Sequence, residues 1–212
     1  MNQILNEYEI NSNSNKYKKK FNIILSFSLL IIVIGIFAFI FSKYQILEKE
    51  KVSKNLISNY SIQTLYNNST NYETNSTLLS LTSNNPFIIG IIQIDKIDLL
   101  YPILSTTTEE LLKISPCKFY GPMPNEIGNL CIAGHNYVNN KQFGKVNYLD
   151  MNDIIKIFDL NGNYIDYKIY SKTEISATDL SCTNQNTNGA KEITLITCNN
   201  IKGNRTCIKA KQ

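Results

Sequence analysis

Three side chains in this chain have the chemistry of an acyl-transfer site, and each stands at the end or the start of an apolar run. Cys198 closes the run Thr-Leu-Ile-Thr-Cys, and Arg205 opens the next run seven positions later. His135, the only histidine, follows a glycine at the end of an earlier run. A thiolate attacks a carbonyl carbon, an imidazole moves the proton and a guanidinium holds an anionic oxygen. The three residues therefore predict a cysteine acyl-transfer enzyme.

Each of the three residues also has a structural interpretation. A free cysteine is often a small core residue, and a histidine at a strand end is often satisfied by backbone groups. Arg205 could be a surface cation, but it is the only arginine beside 20 lysines. A planar guanidinium with five fixed donors is not equivalent to an ammonium, which favours a specific use of this residue.

The Thr-Leu-Ile-Thr-Cys run, the arginine shortly after it and the Gly-His pair upstream resemble the sortases. These are membrane-anchored transpeptidases that attach proteins to the bacterial cell wall or to each other. The similarity extends from about Gly90 to the C-terminus, and it leaves the subclass open. It implies an eight-stranded closed β-barrel.

The resemblance assigns a role to each matching position. Cys198 corresponds to the nucleophile, His135 to the general acid and base, and Arg205 to the residue that positions substrate and stabilises the oxyanion. Three further positions match residues that would bind the sorting signal or shape its pocket. They are Thr197, Thr178 and Asp179.

The five cysteines do not predict a metal site. They lack a Cys-x-x-Cys spacing, and one histidine cannot build the usual zinc ligand sets. We therefore expect neither a metal nor another cofactor. One disulfide among the four cysteines other than Cys198 stays open at this point.

A membrane anchor is predicted near the N-terminus. Residues 21–41 carry no charge, and a helix of that length covers about 30 Å, the thickness of a bilayer core. Four lysines within residues 16–20 precede it, which predicts a cytoplasmic N-terminus, contact with membrane lipid and an extracellular catalytic domain. A cleaved signal peptide is the alternative, but its apolar core is shorter, about 7–15 residues.

The remaining organisation follows from composition and charge. We predict a cytoplasmic tail over 1–20, an anchor over 21–42, a polar linker over 43–85 and a catalytic domain over 86–212. The helix could continue over 44–54, and residues 55–85 are rich in Asn, Ser and Thr, which favours a linker. The alternative is a short helix packed onto the domain by the scattered apolar residues Ile57, Ile62, Leu65, Leu78, Leu79 and Leu81. Residues 85–212 hold 13 basic and 12 acidic side chains, so the domain lacks the basic field that nucleic-acid binding needs.

Short apolar runs bounded by turn residues predict an all-β domain. Asn161-Gly162 marks a β-hairpin, and residues 107–114 form the one short helix of the pattern. Pattern alone allows a sandwich or a barrel, and the resemblance selects the barrel. The predicted strands cover 88–94, 99–104, 129–135, 153–160, 164–172, 192–198 and 205–211.

The predicted function is cleavage of a Leu-Pro-x-Thr-Gly-like sorting signal through a thioacyl-enzyme intermediate. An amine of a cell-wall precursor would then accept the acyl group, and a lysine of a pilin subunit is the alternative acceptor. A papain-like peptidase would place its cysteine before its histidine, and an L,D-transpeptidase would carry a Ser-His-Gly-Cys run. A tethered binding domain without activity is the non-enzymatic alternative.

Overall fold

The computed structural model describes residues 2–69, 88–199 and 203–212. The chain divides into two compact units, Met1–Glu48 and Lys49–Gln212. The first unit consists of helix, and the second contains the β-barrel together with the continuation of that helix.

The N-terminal helix α1 covers Asn2–Ser69. Within it, Asn22–Ser58 contains an 18-residue window of mean hydropathy 3.1 with none of its residues buried. By length and composition this segment is a candidate membrane span, as expected for the predicted anchor. Exposure of such a helix to water is unfavourable, because burial of each large apolar side chain contributes about 1.5–3 kcal/mol of free energy.

Helix α1 continues into the segment named as the polar linker. The described part of that segment, residues 43–69, is helical, as in the alternative of a helix that packs onto the domain. Ser53 is 1 % exposed and Ile57 is half-buried, and both line a groove with Leu100 and Tyr101 of the domain. This tertiary packing stabilises the helix there. Residues 70–85 lie outside the described residues.

The domain is the predicted eight-stranded closed barrel, with spatial order β1-β2-β3-β4-β7-β8-β6-β5. One short helix, α2, covers Glu109–Leu112. The strands are β1 Ile88–Ile94, β2 Leu99–Leu104, β3 Cys117–Tyr120, β4 Gly128–Ala133, β5 Ile154–Phe158, β6 Tyr164–Ile175, β7 Lys191–Cys198 and β8 Arg205–Lys211.

Two differences from the predicted strands matter for the site. Strand β3 was not predicted, because it has only four residues and buries only Cys117. Strand β4 ends at Ala133, so His135 lies beyond the strand instead of at its last position. The predicted hairpin is confirmed: Gly162 adopts φ 81°, and the Asp159 carboxylate accepts hydrogen bonds from the backbone of Asn161 and Asn163.

Branched apolar side chains fill the interior of the barrel. The paired strands β4 and β7 both contribute buried residues to this core. β4 is buried at five of its six positions, and β7 is buried at four of its eight positions. β4 and β7 run parallel and in register from Gly128↔Lys191 to Ala133↔Ile196. β7 and β8 are antiparallel and pair Cys198 with Arg205. These two pairings determine where the candidate catalytic side chains meet.

Candidate active site

Cys198 and Arg205 are opposite each other at the open end of the β7–β8 pair. The Arg205 guanidinium donates a hydrogen bond from Nη1 to Cys198 Sγ over 2.7 Å. Both residues are half-buried and line the same cleft. A charged donor at this distance stabilises negative charge on the sulfur, and the planar guanidinium holds further N–H groups beside it.

His135 lies beside this pair because the chain continues along β7 after β4 ends. Gly134 N donates to Ile196 O over 3.1 Å, which extends the parallel ladder by one step. Asn136 Nδ2 donates to the carbonyl oxygen of Cys198 over 2.8 Å. His135 is thus held between two residues that are bonded to β7, and its side chain lines the cleft that contains Cys198.

The glycine of the Gly-His pair is required by packing. A Cβ atom at Gly134 would lie 2.6 Å from the buried ring of Phe143, well inside van der Waals contact. Any larger residue would push the chain away from Phe143 and displace His135. Packing against Phe143 is therefore a physical reason for a glycine directly before His135.

The environment of His135 favours the neutral imidazole. Burial is the first cause that lowers its pKa below the ordinary value of 6.5, and the positive charge of Lys113 acts in the same direction. Glu109 opposes this effect, and Glu109 Oε1 also accepts a hydrogen bond from Lys113 Nζ over 2.7 Å. Glu109 of α2 and Lys113 directly after it therefore act on the pKa of the ring, and Lys49 of α1 also lowers it.

The cleft has a volume of about 220 Å³, and most of its lining is apolar. The end of β6 and the segment after it form one wall, and residues of α2, β3 and the end of β4 form the other. A cleft of this kind could hold an extended apolar peptide next to the Cys198 sulfur. The apolar lining residues are Leu112, Phe119, Ala133, Ile175, Ala177, Leu180 and Ile196.

The three residues expected to bind substrate occupy different places. Asp179 lines the cleft, and its Oδ1 accepts a hydrogen bond from Ser181 N over 2.7 Å, which lowers the pKa of the carboxyl group. Thr197 is 3 % exposed and donates its hydroxyl to Gly134 O over 2.7 Å, so it supports the histidine segment. Thr178 is exposed, with its hydroxyl 3.3 Å from that of Ser176.

Two polar side chains that the sequence analysis did not identify hold the segment between β6 and β7. Asn129 is fully buried, and its Nδ2 donates to the carbonyl oxygens of Cys182 and Asn184 over 3.0 and 3.1 Å. Gln185 Nε2 donates to the carbonyl oxygens of Asn129 and Thr183, each over 2.9 Å. The position of Asn129 within the otherwise apolar β4 could have indicated a buried amide that needs hydrogen-bond partners.

The four other cysteines are buried, and all five cysteines are free thiols. Burial raises the pKa values of Cys117 and Cys131 to about 12, and burial with the neighbouring Cys182 raises that of Cys207. They behave as small core residues, in contrast to Cys198. Among the described residues, no group of three or more His, Cys, Asp or Glu side chains is arranged to hold a metal ion.

The barrel domain matches a known protein family in both sequence and structure. Residues 92–212 match the sequence profile of a family described as "Sortase domain". A sortase D5 transpeptidase of Clostridium perfringens aligns with 29% identity and a TM-score of 0.60, over 77% of this chain and 98% of that one.

More distant structures share the fold. A C. perfringens sortase C, solved with a C-terminal cell wall sorting motif, aligns with 20% identity and a TM-score of 0.53, over 76% of this chain and 89% of that one. A lid mutant of Corynebacterium diphtheriae sortase A aligns with 21% identity and a TM-score of 0.56, over 75% and 94%. No curated protein matches the chain significantly.

Proposed function

Because this chain belongs to the sortase family of transpeptidases, we propose that Cys198 is its nucleophile and that the substrate is a Leu-Pro-x-Thr-Gly-like sorting signal. The observation that carries the proposal is the 2.7 Å contact between Arg205 and the Cys198 sulfur in a cleft that also contains His135. A half-buried thiol with a guanidinium and an imidazole in one cleft has the parts that acyl transfer needs.

The first step forms a thioester. Cys198 Sγ, as the thiolate, attacks the carbonyl carbon of the Thr–Gly bond, and the electron pair moves onto the carbonyl oxygen. Arg205 donates N–H groups to that oxyanion, because the acyl oxygen of the intermediate lies only two bonds from the sulfur that the guanidinium contacts at rest. As the intermediate collapses, the C–N bond breaks, and protonated His135 donates its proton to the leaving amine.

The second step transfers the acyl group. An incoming amine attacks the thioester carbon, and the now neutral His135 accepts its proton. The C–S bond then breaks, which releases the joined product and returns Cys198 to the thiolate and His135 to its protonated form. Burial and Lys113 lower the pKa of His135, so only a minority of the resting protein at neutral pH carries the protonated ring.

The apolar cleft supports the choice of signal. Leu and Pro of the signal would contact the wall that contains Ala177 and Leu180, and the Thr carbonyl would reach Cys198. The acceptor in the proposal is an amine of a cell-wall precursor. A pilin lysine in its place is tested by the same assay with a second amine.

The location in the proposal follows from α1. Its charge-free segment would cross the membrane once, the lysines within 16–20 would stay in the cytoplasm, and the barrel would face the outside. Protease added to intact cells should then digest the barrel. Digestion only after lysis would contradict this orientation and place the barrel in the cytoplasm.

The direct test combines a reactive probe with a joining assay. The full chain in detergent is treated with a vinyl sulfone analogue of the signal, and mass spectrometry locates the adduct. In a second experiment, signal peptides are mixed with either a cell-wall precursor peptide or a lysine-containing pilin peptide. Adduct at Cys198 and an amide product support the proposal, whereas labelling of none of the five thiols contradicts it.

A further inference from the structure

Gln142 is a buried polar residue close to His135 in space and seven positions after it. It is 4 % exposed, and a β-bridge to Asn136 closes the short loop between them. Its backbone has φ 45° and ψ −119°, a conformation that non-glycine residues rarely adopt. Such a conformation persists only where the surroundings demand it, so its contacts are informative.

The side-chain amide of Gln142 joins two parts of the active-site wall. Oε1 accepts a hydrogen bond from the backbone N–H of His135 over 3.0 Å. Nε2 donates to the carbonyl oxygen of Leu112, the last residue of α2, over 2.8 Å. One amide group thus connects the histidine backbone to the helix whose Glu109 and Lys113 act on its ring.

The backbone around Gln142 adds two further bonds. Gln142 N donates to the hydroxyl of Tyr101 on β2 over 3.2 Å. Phe143 N donates to the carbonyl oxygen of His135 over 3.0 Å. Both backbone groups of His135 are therefore bonded to residues 142–143, and that dipeptide is itself anchored to β2 and α2.

The His135 ring depends on this backbone support. In the described part of the chain, no carboxylate accepts a hydrogen bond from the imidazole, and its ring contact is with Tyr137 at a centroid distance of 5.0 Å. A ring without a fixed acceptor is oriented by its main chain and by packing. Displacement of the main chain by about 1 Å can lower a rate by about 10²-fold.

Glutamine suits this position because it is at once a donor and an acceptor. A methionine of similar length would satisfy neither partner. A glutamate would still accept from His135 N–H, but its second oxygen would face the Leu112 carbonyl oxygen without a proton between them. The geometry therefore distinguishes the amide from both near-isosteres.

We propose that Gln142 is a positioning residue for the acyl-transfer reaction: its side-chain amide holds the His135 backbone against α2 and thereby orients the imidazole toward Cys198. This inference rests on the proposed function, in which His135 moves the proton. Gln142 touches neither the substrate nor the reacting sulfur, so its contribution should appear in kcat and in the behaviour of the ring.

The test uses the full chain in detergent micelles with a purification tag that contains no histidine, so that His135 gives the only imidazole NMR signal. Gln142→Met, Gln142→Glu and the control Gln93→Met are compared with the wild type. Gln93 lies on β1, where its Nε2 donates to Asp95 Oδ1 over 2.6 Å. Transpeptidation kinetics, the NMR titration of the ring and alkylation of Cys198 by iodoacetamide are measured.

For Gln142→Met we expect kcat to fall about tenfold or more, with KM within about twofold. The pKa of His135 should rise toward its ordinary value, because a displaced ring is more hydrated and farther from Lys113. Alkylation of Cys198 should stay within about twofold, and Gln93→Met should match the wild type in every measurement. Gln142→Glu, which keeps the bond to His135 N–H, should lose less kcat.

Unchanged kcat together with an unchanged ring titration would overturn the inference. So would a fall in kcat without any change at the ring, because the effect would then not pass through His135. If Gln142→Met does not fold, Gln142→Glu alone decides by the same criteria. A wild type that joins no peptide would contradict the proposed function, whereas the ring titration would still test the placement of His135.

Discussion

The two walls of the candidate active-site cleft differ in the types of side chain that they present. The histidine wall consists of α2, the end of β4 and the loop to Gln142, and it carries the charges of Glu109 and Lys113. The opposite wall, residues 175–182, presents Ala177 and Leu180 to the cleft. One wall therefore has the titratable groups, and the other presents an apolar surface.

The two walls are held by the same device. Each is supported by a glutamine amide that bonds main-chain groups of separate elements. Gln142 supports the histidine wall, and Gln185, just after residues 175–182, supports the apolar wall. Since backbone contacts do not depend on the identity of the supported side chains, recognition and chemistry can be altered independently. The comparison predicts that damage to one wall changes kcat and damage to the other changes KM.

The largest effect is expected at Cys198 and Arg205, which lie at the ends of β7 and β8 and form the floor of the cleft between the two walls. Cys198→Ala removes the nucleophile, so transpeptidation should fall to background while both walls stay in place. The thermal melt should change little, because the side chain is half-buried and leaves only a small void. Mass spectrometry of the joined product and a melting curve measure both. A large loss of stability would instead assign the residue to the core.

Arg205→Lys tests the floor without removing its charge. We expect kcat/KM to fall about 10²-fold, because an ammonium cannot present several N–H groups to the sulfur and the oxyanion together. The effect should be mainly on kcat. Steady-state kinetics with a signal peptide provide the measurement, and activity near that of the wild type would exclude Arg205 from the site.

Gln185→Met tests the apolar wall. The variant loses the bonds to the backbone of Asn129 and Thr183, each of which contributes about 0.5–1.5 kcal/mol. We expect KM to rise about tenfold, with kcat within about twofold, which is the reverse of the pattern expected for Gln142→Met. The same kinetic assay decides, and a fall in kcat with constant KM would show that the walls do not act separately.

The smallest effect is expected from Lys113→Met on the histidine wall. Loss of this cation, which also releases Glu109, should raise the pKa of His135. In the wild type the ring binds its proton less readily when folded than when unfolded. Its contribution to stability is therefore complete above the ordinary value of 6.5 and is lost as the pH falls below it.

NMR titration of the sole imidazole measures this shift, and melts between pH 5 and pH 8 measure the linked stability. The dependence of the melting temperature on pH should be weaker in Lys113→Met than in the wild type. A lower pKa in the variant would contradict the electrostatic account of this wall.

Much of the barrel and its candidate site residues could be predicted because they depend on local patterns. The Asn-Gly turn, the apolar runs and the Thr-Leu-Ile-Thr-Cys signature each lie within a few residues. β3 was missed because four residues carry no clear period. For residues 43–69 the sequence left an irregular linker and a packed helix as alternatives, because Ser53 and Ile57 pack against residues far along the chain.

The hydrogen bonds of the buried side-chain amides could not be predicted from the sequence either. Gln142 and Asn129 are ordinary polar residues in the sequence, and their roles depend on the carbonyl groups that approach them after folding. The partners of Asn129 in the segment before β7 are more than 50 positions away. A buried amide that bonds two elements is visible only when both elements are in place.

By itself the amino-acid sequence determined which side chains are chemically competent, where most of the apolar strands lie, and that an apolar helix precedes them. Those properties depend on residue type and short-range period. Only the tertiary structure decided that β4 runs parallel to β7, which brings His135 beside Cys198, and that Gln142 holds it there. Strand partners are selected by closure of the whole barrel, and no single segment encodes that choice.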